Sequence, residues 1–251
     1  MKADLITNVT HDIKTPLTSI INYVNLIKLE KIDKESEKGY NKILDEKSQR
    51  LKQLTADLVE ASKISSGNVK LDMQVIDLVE LVYQTSGEFN EKFEQKELTI
   101  VTKLPKTAVL IRADGRQLYR VIENLYNNVA KYALEKTRVY VDIAYAEEKV
   151  IFSIKNVSER SLARENSNAG DLTERFIRGD SSRTTEGSGL GLSIAKSLTV
   201  LMGGTFDITV DGDLFKAAIT FPQYADENSK AIEQTDAADE TEYGIEELEP
   251  G

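Results

Sequence analysis

Cysteine is absent from the sequence, which excludes disulfide bonds and thiolate metal sites and fits a reducing compartment. Long apolar runs are absent too, since none approaches the roughly 20 residues that a helix needs to cross a bilayer. We therefore expect no membrane segment in these 251 residues. The hydrophobic fraction of 40% and the charged fraction of 29% are those of a soluble globular protein.

Basic stretches are also missing, and the negative charge is concentrated at one end. The net charge is −10, and residues 226–251 carry −9 of it through ten acidic residues and one lysine. The rest of the chain is nearly neutral and has no basic stripe, so we expect no nucleic acid partner. Residues 224–251 have few large apolar side chains, and we expect them to form a disordered, solubilising tail.

Histidine occurs once, as His11, within residues 8–18 (NVTHDIKTPLT). Isoleucines recur every seven residues around it, which is the spacing of a packed helical seam. These isoleucines are Ile6, Ile13, Ile20 and Ile27. His11 falls outside the seam, so we expect it on the outward face of the helix, with Asp12 beside it and Thr15 one turn later. A surface histidine on a coiled coil would give the same short pattern.

Two long helices are predicted at the start of the chain. The first covers residues 3 to about 31, and Pro16 should bend it beside His11 because proline removes a backbone donor. The second covers about 37–64, where apolar residues keep three- and four-residue spacing. The two helices form an antiparallel hairpin with one apolar seam that a single hairpin leaves uncovered. A second copy should complete a four-helix bundle, so we expect a homodimer.

The hairpin is assigned to residues 1–68, and residues 70–223 are predicted as a separate α/β domain. Helices are predicted at 77–93, 117–134 and 190–201, and strands at 98–102, 108–113, 138–144, 150–156, 205–210 and 215–221. Asp211 and Gly212 predict a tight hairpin between the last two strands. Residues 158–189 have little periodicity and are predicted to form a mobile lid.

A polar helix face is predicted at 117–134. Asn124, Asn128 and Lys131 are four and three residues apart, so their side chains share one face. Amide oxygens suit a hard cation such as Mg2+, and lysine adds a point charge for phosphate. An ordinary solvated helix face is the alternative interpretation.

A glycine-rich run, residues 187–192 (GSGLGL), precedes the helix predicted at 190–201. Glycines let backbone amides approach a phosphate, and a helix N-terminus favours anions. Dinucleotide-binding folds have similar glycines, but they need an early strand before the motif and an acid about 20 residues later. This run comes late and lacks that context, so we reject that interpretation. Arg178 precedes the run and could reach a terminal phosphate, or it could be an ordinary surface residue.

In order and spacing, these motifs resemble those of the sensor histidine kinases of two-component signalling. Residues 11–17 resemble the H-box, 124–132 the N-box, 174–176 the F-box, 187–192 the second glycine box, and 203–204 the glycine pair that follows it. The resemblance implies an antiparallel helical hairpin, dimerised as a four-helix bundle, followed by a Bergerat-type α/β sandwich with a mixed sheet.

The resemblance also implies an activity and its site. ATP and Mg2+ would be used to phosphorylate His11, with Asp12 orienting the ring, before transfer to an aspartate of a cognate response regulator. Thr15 would support a phosphatase activity toward that regulator. The ATP-binding residues would be Asn124, Asn128, Lys131, Tyr132, Asn156, Arg178, Gly187, Gly189, Leu190 and Gly191, with Asn124 and Asn128 also holding the metal.

One box departs from the family pattern. Asn156 stands where the family has an adenine-reading aspartate, and the glycines that should follow it are missing. A neutral acceptor binds more weakly than an ionised one, so a regulator-docking pseudokinase is the alternative function. An ATP-driven clamp is disfavoured, because Asn124 occupies the position where such ATPases carry a glutamate base.

The chain begins almost inside the H-box helix. We therefore expect it to be the cytoplasmic portion of a membrane-anchored bacterial sensor protein, with its sensing part upstream.

Overall fold

A computed structural model describes residues 2–28, 34–67, 69–159 and 190–224, without the side chains of residues 2–12, 34, 35 and 65. The predicted lid, apart from Ser158 and Glu159, and the predicted tail, apart from Tyr224, lie outside the described residues.

Two long helices form the predicted antiparallel hairpin, α1 (Lys2–Lys28) and α2 (Lys34–Ser65). The rings of Tyr23 and Tyr40 meet with centroids 5.4 Å apart near the connection between the helices. Pro16 lies inside α1 and the helix continues through it. The bend expected there stays a prediction.

The α/β domain contains three described helices and seven strands. The helices are α3 (Leu78–Glu94), α4 (Gly115–Tyr132) and α5 (Gly191–Leu201). The strands are β1 (Gln74–Asp77), β2 (Thr99–Lys103), β3 (Leu110–Ala113), β4 (Arg138–Ala146), β5 (Lys149–Val157), β6 (Thr205–Asp211) and β7 (Leu214–Pro222).

Five strands form a mixed sheet in the order β2-β4-β5-β7-β6. The β2–β4 pair is parallel, and the other neighbouring pairs are antiparallel. The predicted hairpin turn is present, because Asp211 pairs with Leu214 and Gly212 has a φ of 57° that suits a tight turn. A second, two-stranded sheet pairs β1 with β3. The mixed sheet of the predicted fold class is thus confirmed.

The core lies against one face of the five-stranded sheet. Along β4, Val139, Val141 and Ile143 are buried, while Arg138 before Val139 and Tyr140 after it are exposed. The alternation follows from the two-residue period of a strand, and the buried face meets the apolar sides of the helices. Helix α4 packs against both α3 and α5.

Strand β1 was not predicted, and the helix predicted from Asp77 begins one residue later. Asp77 is the last residue of β1 and the N-cap of α3, where its carboxylate accepts hydrogen bonds from the amides of Val79 and Val109 at 3.0 and 3.1 Å. An aspartate in this position satisfies backbone donors that the first helical turn leaves open.

Candidate active site

Helix α4 supplies the central side chains of the site. Asn124 donates a hydrogen bond from Nδ2 to the backbone oxygen of Arg120, one turn earlier, at 2.8 Å. This bond fixes the orientation of the amide and leaves Oδ1 as an acceptor. Asn128 lies one turn further along and is half-buried, so both predicted metal ligands lie on the same side of α4.

The N-terminus of α5 packs directly on Asn124. A β-carbon on Gly191 would lie 2.9 Å from Oδ1 of Asn124, a distance that real side chains do not tolerate. The close approach explains why this position of the predicted glycine run carries no side chain. Leu190, just before it, is the N-cap of α5 and makes no side-chain capping bond. Backbone donors at this helix end therefore lie beside an amide oxygen, an arrangement suited to phosphate with a bound cation.

Asn156 is a buried acceptor near the end of β5. Only 2% of its surface is exposed, and its Nδ2 donates to the backbone oxygen of Val157 at 3.0 Å. Its Oδ1 is buried and has no hydrogen-bond partner among the described residues. A buried acceptor without a donor is costly, so this oxygen is suited to a donor supplied by a ligand.

Backbone hydrogen bonds join the end of α4 to the end of β5. The amide of Leu134 donates to Val157 at 2.9 Å, and the amide of Glu159 donates to Tyr132 at 2.9 Å. Asn156 therefore lies near the C-terminal end of α4. Asn124 precedes Tyr132 by eight residues, or about 12 Å along the helix axis. The site is elongated. The buried Oδ1 of Asn156, which has no donor among the described residues, lies toward one end, and the Asn124–Gly191 contact lies toward the other.

Lys131 and Tyr132 lie at the same end of α4 as Asn156. The Lys131 ammonium is 4.7 Å from the centre of the Tyr132 ring, which is within the range of a cation–π contact. The neighbouring Asn127 accepts a hydrogen bond from Lys92 of α3 at 3.2 Å, so its amide oxygen is engaged outside the site.

The remaining predicted residues fall in two groups. Thr15 is exposed on α1, and His11 and Asp12 belong to the same helix although their side chains are not described. Arg178, Gly187 and Gly189 lie outside the described residues. The roles of all these residues stay predictions.

An ion pair that the sequence did not predict joins the hairpin to the α/β domain. Arg120 of α4 donates two hydrogen bonds from Nε to Glu60 of α2, at 3.1 and 3.0 Å, and one from Nη2 at 2.6 Å. Burial would lower the pKa of the Arg120 guanidinium, but the hydrogen bonds and charge of Glu60, with the charges of Glu123 and Asp57, outweigh it and raise that pKa. Residues 60 and 120 share no local pattern, so no signal in one sequence links them.

Asp114 is the N-cap of α4 and joins this helix to the segment that follows the hairpin. Its carboxylate accepts from the amide of Asp72 at 2.9 Å and from the amide of Gln117 at 3.0 Å. Burial would raise the pKa of this carboxyl, but backbone hydrogen bonds from Asp72, Gln117 and Arg116, with the charge of Arg116, lower it below its usual range. The carboxylate thus ties the segment after α2 to the start of the helix that carries Asn124.

Two family models match the chain. Residues 1–67 match the His Kinase A phospho-acceptor domain, and residues 113–230 match the ATPase family described as histidine kinase-, DNA gyrase B- and HSP90-like. Together they span the hairpin and the part of the α/β domain that contains α4, β5 and α5.

Curated relatives agree with these matches. The sensor protein VanSC of Enterococcus gallinarum is 32% identical over 206 residues, covering 81% of this chain and 56% of the relative. The chain spans about half the length of this relative and of the sensor protein VanS of Enterococcus faecium, of which it covers 52%. None of the described helices is both long enough and apolar enough to span a bilayer.

Solved histidine kinases have the same fold. ThkA, solved in complex with the response regulator TrrA, superposes with a TM-score of 0.69 at 21% identity, covering 87% of this chain and 61% of that one. ShkA, solved with AMPPNP, superposes with a TM-score of 0.63 at 20% identity, covering 88% and 46%. The predicted Bergerat-type sandwich behind a helical hairpin is thus confirmed, and the chain belongs to the sensor histidine kinases of two-component systems.

Proposed function

We propose that this chain is the phosphotransfer core of its sensor protein. It transfers the γ-phosphoryl group of ATP to His11 and then to an aspartate of a response regulator. The observation that carries the proposal is the elongated site along α4, with the unpaired Oδ1 of Asn156 toward one end and the Asn124–Gly191 contact toward the other.

The two ends of the site suit the two ends of ATP. The adenine amino group is a donor and matches the acceptor of Asn156, whose own Nδ2 is already engaged by Val157. The phosphates then extend along α4 toward Asn124 and the start of α5. This orientation directs the reactive phosphate to the end of α4 that contacts the hairpin through Arg120 and Glu60.

Mg2+ fits the donor set at the phosphate end. The amide oxygens of Asn124 and Asn128 are hard ligands, and a magnesium ion bound through few protein groups keeps waters and phosphate oxygens in its remaining positions. In the described part of the chain, no group of three or more His, Cys, Asp or Glu residues could hold a metal ion, which favours this sparse type of site. When bound, the ion neutralises charge on the phosphates.

His11 is the proposed nucleophile. Its ring nitrogen forms a bond to the γ-phosphorus as the bond to the bridging oxygen breaks, and ADP leaves. Asp12 accepts a hydrogen bond from the other ring nitrogen, which fixes the tautomer and stabilises the positive charge that the ring acquires. Arg178 and the backbone amides of Gly187, Gly189, Leu190 and Gly191 neutralise the phosphates, and Lys131 and Tyr132 bind the nucleotide nearer its adenine end. Little covalent chemistry is needed beyond this positioning.

A second activity, dephosphorylation of the regulator, is assigned to Thr15. The residue is exposed on α1 one turn after His11, on a part of the helix that a bound receiver domain could reach. The structure of ThkA with the response regulator TrrA supports a partner of this kind for the present chain.

The assembly we propose is a homodimer at the cytoplasmic side of a membrane-anchored sensor. Leu17 and Ile21, one turn apart on α1, are 43% and 51% exposed. Large apolar residues at this spacing leave a face that a second hairpin would cover. Relatives named as sensor proteins support the sensor context.

Incubation with Mg2+ and γ-labelled ATP tests the central proposal. Label on the protein supports the kinase. ATP binding without label contradicts it, and the absence of both favours the pseudokinase scaffold, in which the neutral Asn156 no longer holds the adenine.

A further inference from the structure

Lys96 lies in the turn between α3 and β2, and its side chain contacts the end of α4. Its Nζ donates to the backbone oxygen of Lys131 at 3.0 Å and to that of Ala133 at 3.4 Å. The last carbonyls of a helix have no partner within the helix, and a cation at this end also matches the helix dipole. The half-buried Lys96 therefore caps the C-terminal end of α4.

The backbone around Lys96 is joined to the loop that follows α4. The Lys96 oxygen accepts a hydrogen bond from the amide of Lys136 at 3.1 Å, and the amide of Thr99 donates to the oxygen of Thr137 at 3.0 Å. These bonds fix the position from which the Lys96 side chain extends. Its ammonium thus has a defined place beside the end of α4.

The peptide group between Ala133 and Leu134 is held from two sides. Its oxygen accepts from Lys96, and its amide donates to the backbone oxygen of Val157 at 2.9 Å. The oxygen and the amide hydrogen of a trans peptide point in opposite directions, so the two partners lie on opposite sides of the group. Ala133 is fully buried, and hydrogen bonds at the two ends of one peptide group strengthen each other.

The same Val157 oxygen orients Asn156. It accepts a second hydrogen bond from Nδ2 of Asn156 at 3.0 Å, which a carbonyl with two lone pairs can do. The Asn156 amide is thereby fixed with its Oδ1 buried and without a donor among the described residues. Rotation of the Val157 carbonyl would turn the amide and change the direction of this acceptor.

Three hydrogen bonds thus form a relay from the ammonium to the base-reading amide. They run from Lys96 to Ala133, from Leu134 to Val157 and from Asn156 to Val157. A helix cap alone would stabilise α4 without reaching the site. The relay extends beyond the cap, because its last two bonds, of 2.9 and 3.0 Å, end on the residue whose acceptor is unpaired.

We infer that Lys96 is a positioning residue for the adenine end of the site. It holds the Ala133–Leu134 peptide group and, through the Val157 oxygen, sets the direction of the Asn156 acceptor. The consequence for ATP rests on the proposed function, whereas the relay exists without nucleotide. The two can therefore be tested apart.

Lys96→Met tests the consequence for ATP, because it removes the ammonium and keeps an unbranched side chain. The Kd for ATP should rise about five- to tenfold, within the range of one hydrogen bond, and the preference for ATP over GTP should fall by a similar factor. The loss should be equal with and without Mg2+, since it arises at the adenine end. In labelling of His11, KM should rise while kcat changes less than about twofold. An unchanged preference, or a fall in kcat at constant KM, would overturn the inference.

Lys92→Met is the matched control. Lys92 lies one turn earlier on α3 and donates to the side chain of Asn127 outside the site, so its loss should leave the Kd and the nucleotide preference unchanged. Lys96→Arg keeps a charged donor at the end of α4 and should restore both quantities to within about twofold of the wild type. Equal losses in Lys92→Met and Lys96→Met, or no recovery in Lys96→Arg, would contradict the assigned role.

Amide hydrogen exchange in the nucleotide-free protein tests the relay itself. Lys96→Met should speed exchange at the Leu134 amide several-fold, while the Met202 amide, bonded to Leu198 at the end of α5, should keep its rate. Equal acceleration at both amides would indicate a general loss of stability and would refute the relay, as would an unchanged rate at Leu134. A wild-type protein that binds no ATP would refute the proposed function instead, because the exchange rates still report whether the relay exists.

Discussion

Gly191 and Asn124 are in contact across the phosphate end of the site, where a β-carbon on Gly191 would lie 2.9 Å from the Asn124 amide oxygen. The contact joins the start of α5 to the middle of α4. It leaves no room for a side chain beside the proposed metal ligand.

Gly191→Ala should displace the Asn124 amide and weaken binding of Mg-ATP by about tenfold, the loss of one hydrogen bond to a charged group. Calorimetric titration with and without Mg2+ measures this effect, which should be smaller without the metal. Gly87→Ala in α3 is the control, because no atom apart from the adjacent residues and nearby backbone of its own helix lies within 4 Å of the added carbon. Equal losses of affinity in the two variants would contradict the role of the contact.

Asn156→Ala should remove the acceptor for the adenine amino group. We expect at least a tenfold loss of ATP affinity, and also the loss of preference for ATP over GTP, whose base has a carbonyl at the corresponding position. Competition titrations with both nucleotides measure the preference. Ser153→Ala, on the opposite face of β5, should leave it intact. An unchanged preference in Asn156→Ala would mean that another group reads the base.

Asp114→Ala should destabilise the protein by about 1 to 2 kcal/mol at neutral pH, because it removes the α4 cap and the bond to Asp72. The pKa of Asp114 is lowered in the folded state from 3.8. Its ionised form therefore stabilises the fold above pH 3.8, and the benefit is lost as the pH falls through the lower, folded value. Urea unfolding of both proteins at neutral pH and below pH 3.8 should show this difference shrinking. A difference independent of pH would contradict the assigned cause.

Ile21→Asp should weaken the proposed homodimer, because it places a charge on the exposed apolar face of α1. Sedimentation equilibrium should show a larger fraction of monomer. Val200→Asp on α5, where the valine is 57% exposed, changes the charge equally and should leave the mass unchanged. If Ile21→Asp stays as dimeric as the wild type, this face is not the interface.

The parts of the fold that the sequence predicted are those governed by local periodicity. Helices α1 and α2 and the strands of the main sheet follow from apolar spacing within single segments. Strand β1 was missed because its four residues, Gln74–Asp77, are too few to show alternation, and their strand pairing depends on β3. The order of the sheet and its one parallel pair depend on contacts between distant segments, which periodicity does not specify.

The residues of the candidate site also divide into those that local sequence patterns predict and those that depend on contacts between distant segments. Asn124, Asn128 and Gly191 could be proposed from spacing and glycine content, since one helix face and one helix start are local features. The orphaned oxygen of Asn156 became apparent only from its burial and from the partner of its Nδ2. The Glu60–Arg120 pair was not predicted. The two charged residues are 60 positions apart, and no sequence pattern shows that they are in contact in the folded chain.

The most direct test of the account is the chemical stability of label transferred from γ-labelled ATP in the presence of Mg2+. The account predicts label that is lost in acid and kept in base, which is the behaviour of phosphohistidine. Because His11 is the single histidine of the chain, His11→Gln should abolish the label while ATP binding remains. Label that resists acid, or that persists in His11→Gln, would contradict the account.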